Sequence, residues 1–519
     1  MGCEKVLINC LFCCQKVLNH SQNPTAIKQL PTHIAASQIA QQLQLEVNDY
    51  EIKHLPKNES FIAIVNALPD HLEILVLHRL LADFEGEIKI TSLAKALVKD
   101  LEDQFSQSKD RTTAHVIVND LLTQKWKTPK KYHQSKRFTQ IIREAKLGIV
   151  PIHLRLKPSV QEEINTPLVS LRIGRLIKVK EQEKFEKGRD FRQFIRSKII
   201  ALRSSLEMKQ LYLNPLDPSS PKAEIVPPIA AKLLEQDIAN IKPKGLLTTR
   251  GDYEVLIANV NDIPNVLQEI GRLREITFRA VGEGTGNSRD LDEYDLYYKQ
   301  LIIWDNKNKR IVGGYRIGEG DYIFEKFGIE GFYIHSLFKI KKGFFPILQK
   351  SIELGRSYLV PEYQKERLPL FLLWKGILYF LLQNPQYQYI YGPVSISKYY
   401  SNISKSLIVA FVKKFYFNKQ LAKYLKPRKP FKVKTKEIDL KALMRNFNGE
   451  LQNLDNFVED IEPEHFKIPV LFKQYVKQNA RFISFNVDPN FSDVLDGFMI
   501  LAIKDIPAST LEALKQEKV

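Results

Sequence analysis

Apolar residues fall along this chain in two rhythms. Short β-branched runs, Phe61-Ile-Ala-Ile-Val65, Gly148-Ile-Val-Pro-Ile-His-Leu154 and Val169-Ser-Leu-Arg-Ile-Gly174, predict buried strands, and Ile74 to Leu81 predicts an apolar helix. Strands mixed with helices make this first half an α/β domain. Asn214 to Pro228 then holds five prolines with Asp217, Ser219 and Ser220 among them, which predicts a linker. Helical patterning returns over Ile229 to Asn240 before Lys242-Pro-Lys-Gly245 breaks it. Beyond it, strands are predicted at Tyr253 to Ala258, Lys299 to Trp304 and Arg310 to Ile317, with a tight turn at Asp305-Asn-Lys-Asn308 between the last two. A helix from Pro264 to about Phe278 is flanked by these strands. Gly331 to Leu337 reads as a strand, Glu353 to Val360 as a helix end running into a strand, and Tyr387 to Gly392 as a further strand. Leu368 to Leu382 and Ser404 to Tyr416 read as helices. The pattern divides the chain into an N-terminal segment 1–30, a domain 31–213, a linker and helix 214–245, and a domain 246–519.

Composition narrows the partners. Of 519 residues 44% are hydrophobic and 26% charged, which suits a folded protein, and the formal net charge of +18 favours an anionic partner. No apolar run reaches the ~18 residues of a spanning helix. Leu368 to Leu382 comes nearest, but Trp374-Lys375-Gly376 interrupts it, so membrane contact is expected to be peripheral, on the cytoplasmic face. Cys3, Cys10, Cys13 and Cys14 all lie at the start of the chain, which implies a reducing compartment. Their spacing does not suit tetrahedral zinc, and no metal is expected. Met1-Gly2-Cys3 opens like a myristoylation signal, yet Val6 stands where Ser or Thr is required. Two basic stretches stand out. Lys125 to Arg143 has seven Lys or Arg residues, and Lys413 to Lys436 has ten and no acid, with Phe415, Tyr416, Phe417, Tyr424 and Phe431 interleaved. The first is a solvated basic face or a face for an anionic membrane, and the second faces a membrane or an acidic protein. No nucleic-acid motif accompanies them, and nucleic acid is not an expected partner.

The first strand, Asn66, the helix after it, and the blocks Val150-Pro-Ile-His153 and Leu171-Arg-Ile-Gly174 resemble a lysophospholipid (glycerolipid) acyltransferase domain over roughly residues 45 to 205. That family places a His base and an Asp just past the strand. Here Ala67 stands at the His position and Glu73 at the Asp position. His78-Arg-Leu-Leu-Ala-Asp83 has the family's spacing but comes too late, and His71 lacks an acid at the right offset. The resemblance therefore implies a degenerate, docking domain.

In the second half, Arg274 with Phe278, Asp292 with Asp295, Arg316 after Val312-Gly-Gly-Tyr315, and Glu353 with Arg356 resemble the signature of acyl-homoserine-lactone synthases. Phe278-Arg-Ala-Val-Gly-Glu-Gly-Thr-Gly286, Gly392-Pro-Val-Ser-Ile-Ser397, Phe485-Asn-Val-Asp-Pro489 and Leu495-Asp-Gly497 bring the segment closer to the ornithine- and glycine-lipid N-acyltransferases, often labelled hemolysin-like. The resemblance covers about residues 246 to 505. It implies an N-acetyltransferase-like (GNAT) mixed-sheet fold, and transfer of a 3-hydroxyacyl chain from acyl carrier protein to an amino acid's α-amine, giving a lyso-aminolipid. Alternatives are a synthase of a diffusible acyl signal and a non-catalytic membrane-binding protein.

Such chemistry needs a base, because an amine attacks a thioester only when unprotonated. Glu353 is the candidate. Asp292 and Asp295 are candidates to hold the incoming ammonium or to make a carrier-protein contact, or are ion-pair partners of Arg274 and Arg316. Arg316 and Arg356 suit bidentate capture of the acceptor's carboxylate, or else pair with Glu353 or Asp295. Arg274, Phe278 and the glycine-loop residue Glu283 complete the substrate-binding set. No coenzyme A pyrophosphate loop is evident, which favours acyl-phosphopantetheine of carrier protein as donor, with acyl-CoA the alternative. His335 and Ser336, as strand neighbours, would face opposite sides and form no nucleophile pair.

Overall fold

A computed structural model of the chain describes residues 44–47, 49–66, 68, 72–92, 105, 112–118, 129–157, 168–213, 223–281, 283–433, 438–462, 466–488, 493–510 and 512. The cysteine-rich start, Ala67, His71, the side chain of His78 and most of the proline-rich linker lie outside them. Two compact units result: Met1–Leu216 with Thr435–Lys467, and Asp217–Lys434 with Ile468–Val519. These borders differ from the sequence division. The helix Ala231–Gly245 packs within the second unit, and residues 435–467 return to the first.

The first unit is built on a six-stranded sheet of β1 (Gln44–Glu46), β2 (Phe61–Val65), β3 (Glu87–Ser92), β4 (Thr113–Val118), β5 (Gly148–Lys157) and β6 (Leu168–Ile173), in the order β1-β6-β5-β2-β4-β3. The central strand β2 is buried throughout and parallel to both neighbours, as its unbroken apolar run requires. β1, β3 and β4 are additional to the strands expected, although every residue of Thr113–Val118 is buried. Past β2, the Asn66 amide ties the sheet together, accepting from the Leu154 N–H at 2.7 Å and donating to its carbonyl at 2.9 Å. Glu73 is buried and accepts the Leu68 N–H at 2.9 Å. The helices Leu440–Phe447 and Leu451–Ile461 pack on the long helix Gly188–Leu213. Arg172 pairs with Glu51 and donates to the Asp460 carbonyl at 2.6 Å, while Arg175 meets Asp460 at 3.0 Å and also pairs with Glu459.

The second unit carries an eight-stranded sheet. Its strands are β7 (Leu246–Arg250), β8 (Tyr253–Ala258), β9 (Lys299–Asp305), β10 (Arg310–Glu319), β12 (Ser351–Leu359), β13 (Tyr389–Ile396), β15 (Arg481–Asp488) and β16 (Val494–Ala502), in the order β15-β16-β13-β12-β10-β9-β8-β7. A small ribbon pairs β11 (Phe338–Ile340) with β14 (Leu425–Pro427). All neighbours in the large sheet run antiparallel except β12 and β13. These two pair in parallel only from Ser351 opposite Tyr389 to Glu353 opposite Tyr391, although β13 stays paired with β16 to Ile396. Beyond Leu354, whose carbonyl still abuts Gly392, the sheet is therefore open between β12 and β13.

Two expectations are corrected here. Residues 333–337 form a short helix, not a strand, and Ser336 donates to the Tyr333 carbonyl at 2.6 Å. Glu353 and Arg356 lie on a strand, not at a helix end. In a regular strand two positions three apart face opposite sides. Between Gly355 opposite Arg316 and Tyr358 opposite Gly314, however, two residues of β12 oppose Tyr315 alone, and Arg356 adopts φ +48°. This bulge turns Arg356 back towards the face that carries Glu353.

Candidate active site

The site occupies one face of the second sheet. Arg316 on β10 and Glu353 on β12 share it by register, since Arg316 opposes Gly355 and Gly318 opposes Glu353. The helix Pro264–Ala280 and the loop 283–298 bring the remaining charges over it.

Three arginines and three aspartates interlock there. Arg274, 0% exposed, donates from Nε to Asp290 at 3.0 Å and from Nη1 and Nη2 to Asp295 at 2.9 and 3.3 Å. Its donors face these carboxylates, so its position is that of a brace beneath the site. Arg356 reaches Asp290 at 2.9 Å and Asp292 at 3.4 Å, and its Nη1 lies 3.4 Å from the Tyr333 hydroxyl. Arg316 pairs through Nη1 with Asp292, and the same nitrogen lies 3.4 Å from Asp295. Burial alone would raise the carboxyls of Asp295 and Asp290. The guanidiniums of Arg274 and Arg316 hold the first well below the usual range, and those of Arg274 and Arg356 lower the second. Asp292 and Asp295 also cap the turn Glu293–Leu296, through the N–H groups of Tyr294 at 3.1 Å and Asp292 at 3.0 Å.

Arg316 is only half engaged. It is 1% exposed, and its Nε and Nη2 make no hydrogen bond among the described residues. The guanidinium sits over the rings of Tyr294, Tyr298 and Tyr333 at 5.3–5.5 Å. A Cβ built on Gly355 would meet only Arg316 Nε and Nη2, at 3.9 and 4.0 Å. The space above Gly355 is thus an open cradle edged by the two parallel donors that a carboxylate accepts side-on.

Glu353 is buried and hydrogen-bonded. Oε2 accepts from the Tyr298 hydroxyl at 2.7 Å and the Tyr391 hydroxyl at 3.4 Å, and Oε1 accepts the Ile334 N–H at 2.7 Å. Burial pushes its carboxyl up to about 7, against the pull of these donors and of Arg316. A carboxyl in that range exchanges protons near neutral pH. Phe278 is buried at the end of its helix, and its carbonyl accepts the Glu283 N–H at 2.8 Å. Burial likewise raises the Glu283 carboxyl to about 7.

The structure thus gathers Arg274, Asp292, Asp295, Arg316 and Arg356 and sets Glu353 on the same face. It adds residues that sequence reasoning missed. Asp290 joins Arg274 to Arg356. Glu275, beside Arg274 in the chain, pins the glycine loop through Thr285 N at 3.0 Å and Gly286 N at 2.8 Å. Tyr298, Tyr333 and Tyr391 line the arginine and the glutamate. The one signal for Asp290 was its place two residues before the Asp292/Asp295 pair.

Residues 273–374 match the acetyltransferase (GNAT) domain family. A glycine N(alpha)-acyltransferase of Phocaeicola vulgatus is 30% identical over 298 residues, covering 54% of this chain and 90% of the relative. One of Bacteroides thetaiotaomicron is 31% identical over 298 residues, covering 54% of this chain and 87% of the relative. No solved structure gives a significant match. The chain belongs to the same family as these two proteins and is an N-acyltransferase built on a GNAT domain.

Proposed function

We propose that the second unit transfers a long acyl chain from the phosphopantetheine thioester of acyl carrier protein to the α-amine of a small amino acid, glycine foremost, yielding a lyso-aminolipid. The observation that carries this reading is the unengaged Nε/Nη2 edge of Arg316 above Gly355, a buried fit for an amino-acid carboxylate. The name of the relatives points to the same acceptor. The opening between β12 and β13 leaves strand backbone free to face a thioester, and Glu353 on its wall is the base that relieves the nitrogen of a proton. Asp292, held between Arg316 and Arg356, stands where it meets the ammonium of an acceptor seated on Arg316. Asp295 and Arg274 position these groups.

A basic surface supports an anionic partner. On the β11/β14 ribbon Lys339 lies directly opposite Lys426, a like-charge pair that weakens a ribbon unless a partner neutralises it. Lys341, Lys342, Lys423 and Arg428 are exposed around it. Acidic carrier protein and an anionic membrane both suit this face, and the second would place the enzyme peripherally on the inner leaflet. No helix among the described residues is long and apolar enough to cross a membrane.

The test is thiol release from acyl carrier protein thioesters by the purified protein across a panel of amino acids, with mass spectrometry of the product. Release with glycine and an N-acylglycine product are expected. No release with any amino acid would exclude the reading, and a product that stays in water rather than partitioning into added lipid vesicles would favour a signal synthase.

A further inference from the structure

Joining an ammonium to a thioester strips two protons from nitrogen, and the reading above, on which this inference rests, supplies one base, Glu353. A second carboxylate lies on the other side of the same opening. Asp496 on β16 is directly opposite Ser395 on β13, and the Ser395 hydroxyl donates to Asp496 Oδ1 at 2.7 Å. Directly opposed residues of an antiparallel pair share a face, as do alternate residues along a strand. Ser395 therefore shares its face with Tyr391, whose hydroxyl reaches Glu353, so Asp496 and Glu353 look over the same side of the sheet.

Asp496 is 2% exposed, and the Ser395 hydroxyl engages its Oδ1. Tyr333 joins it to the arginine side of the site. The Tyr333 hydroxyl lies 3.4 Å from Arg356 Nη1 and donates to Asp488 at 3.3 Å, and Asp488 is one step diagonal from Asp496 across the β15/β16 ladder. The cradle above Gly355 is an independent sign that a ligand belongs on this face, because Arg316 keeps a buried donor edge unpaired there.

We propose that Asp496 is a second catalytic base, with Ser395 as its positioning residue: its Oδ2 takes the first proton from the acceptor's ammonium, and Glu353 takes the second. The freed lone pair attacks the thioester carbonyl carbon and forms the C–N bond. Nitrogen then passes its second proton to Glu353, the C–S bond breaks, and Glu353 protonates the departing sulfur. Asp496 returns its proton to solvent, so one proton is released per amide formed. Burial, then the nearby charges of Asp488 and Glu283, push the Asp496 carboxyl up to about 8, while the Ser395 hydroxyl and Arg356 pull against them. That basicity is closer to an amine's than an ordinary aspartate's, as proton transfer from an ammonium requires.

Hydroxylamine, uncharged near pH 7, needs no first deprotonation and separates this role from a structural one. Enzyme-dependent thiol release, above the spontaneous cleavage seen without enzyme, is measured with glycine and with hydroxylamine for wild type, Asp496→Asn and Ser395→Ala. Wild-type failure with both acceptors removes the acyl-transfer reading and this inference with it. Given wild-type turnover, Asp496→Asn is expected to lose about 100-fold or more with glycine and to keep hydroxylamine turnover. Equal loss with both acceptors, or no loss with either, overturns the role of Asp496. Ser395→Ala removes a donor to the ionised carboxylate, so the acid limb of kcat/KM for glycine is expected to move to higher pH. An unmoved limb overturns the assignment even where Asp496→Asn fails to fold.

Discussion

At the residue scale the site holds two kinds of carboxylate, and burial treats them differently. Asp290 and Asp295 are clamped by arginines and stay ionised, whereas Glu353 and Asp496 lack a full counter-charge and hold protons near neutral pH. The linkage sign follows. Asp496 binds its proton more tightly folded than unfolded, so its contribution to stability falls as pH rises from about 4 to about 8. Asp496→Asn keeps the Ser395 contact and removes that loss. Its Tm is expected to exceed wild type by a few degrees at pH 8.5 and to converge with it near pH 4, as calorimetry would register. Glu353→Gln is expected to abolish glycine turnover while the far-ultraviolet circular dichroism stays that of wild type; full turnover would remove Glu353 as a base. Arg316→Lys keeps a charge but loses the side-on edge, so KM for glycine should rise roughly 100-fold, with KM for the acyl donor unchanged. Arg274, Asp292, Asp295, Arg316, Glu353 and Arg356 were legible in the sequence by likeness to a signature. Asp496 and Ser395 stood inside quoted motifs without a role, because a cross-strand partner about a hundred positions away leaves no local pattern.

At the element scale the decisive feature is the bulge of β12. A helix would have placed Glu353 and Arg356 on one side by its own period, and a regular strand would have parted them; the positive φ at Arg356 reunites them on the sheet. Two glycines on neighbouring strands test this local geometry. A Cβ at Gly355 meets nothing closer than the Arg316 guanidinium at 3.9 Å, so Gly355→Ala should fold normally, fill the cradle and raise KM for glycine about tenfold or more. A Cβ at Gly392 falls 2.1 Å from the Leu354 carbonyl oxygen, so Gly392→Ala must push β12 and β13 apart. It should destabilise the protein by about 1–3 kcal/mol, visible as a lower urea midpoint. Strands and helices with clean period were legible to within a few residues, Tyr253–Ala258 and Phe61–Val65 among them. The helix Tyr333–Leu337 has five residues, too few to show the period that separates a helix from a strand.

At the scale of the whole molecule, the acyl-transfer unit is discontinuous. Residues 435–467 leave it to join the first unit, where Leu443, Phe447, Leu454, Phe457 and Ile461 are buried and Asp460 meets Arg175 and Arg172. A chain beginning at Asp217 would expose these residues and leave their acids without those arginines. It is expected to aggregate on size-exclusion chromatography, whereas the same chain with residues 435–467 replaced by a short glycine-serine linker should elute as a soluble species. What the sequence determined by itself was local: strand and helix rhythm, the proline-rich break, the basic stretches, and the spacing of a charged signature, since each depends on neighbours along the chain. Tertiary structure alone decided which arginines brace and which keeps a free edge, which carboxylates hold protons, and where the second unit parts from the first. Those outcomes depend on burial and on partners brought together across strands, and desolvation and cross-strand geometry have no period for a sequence to display.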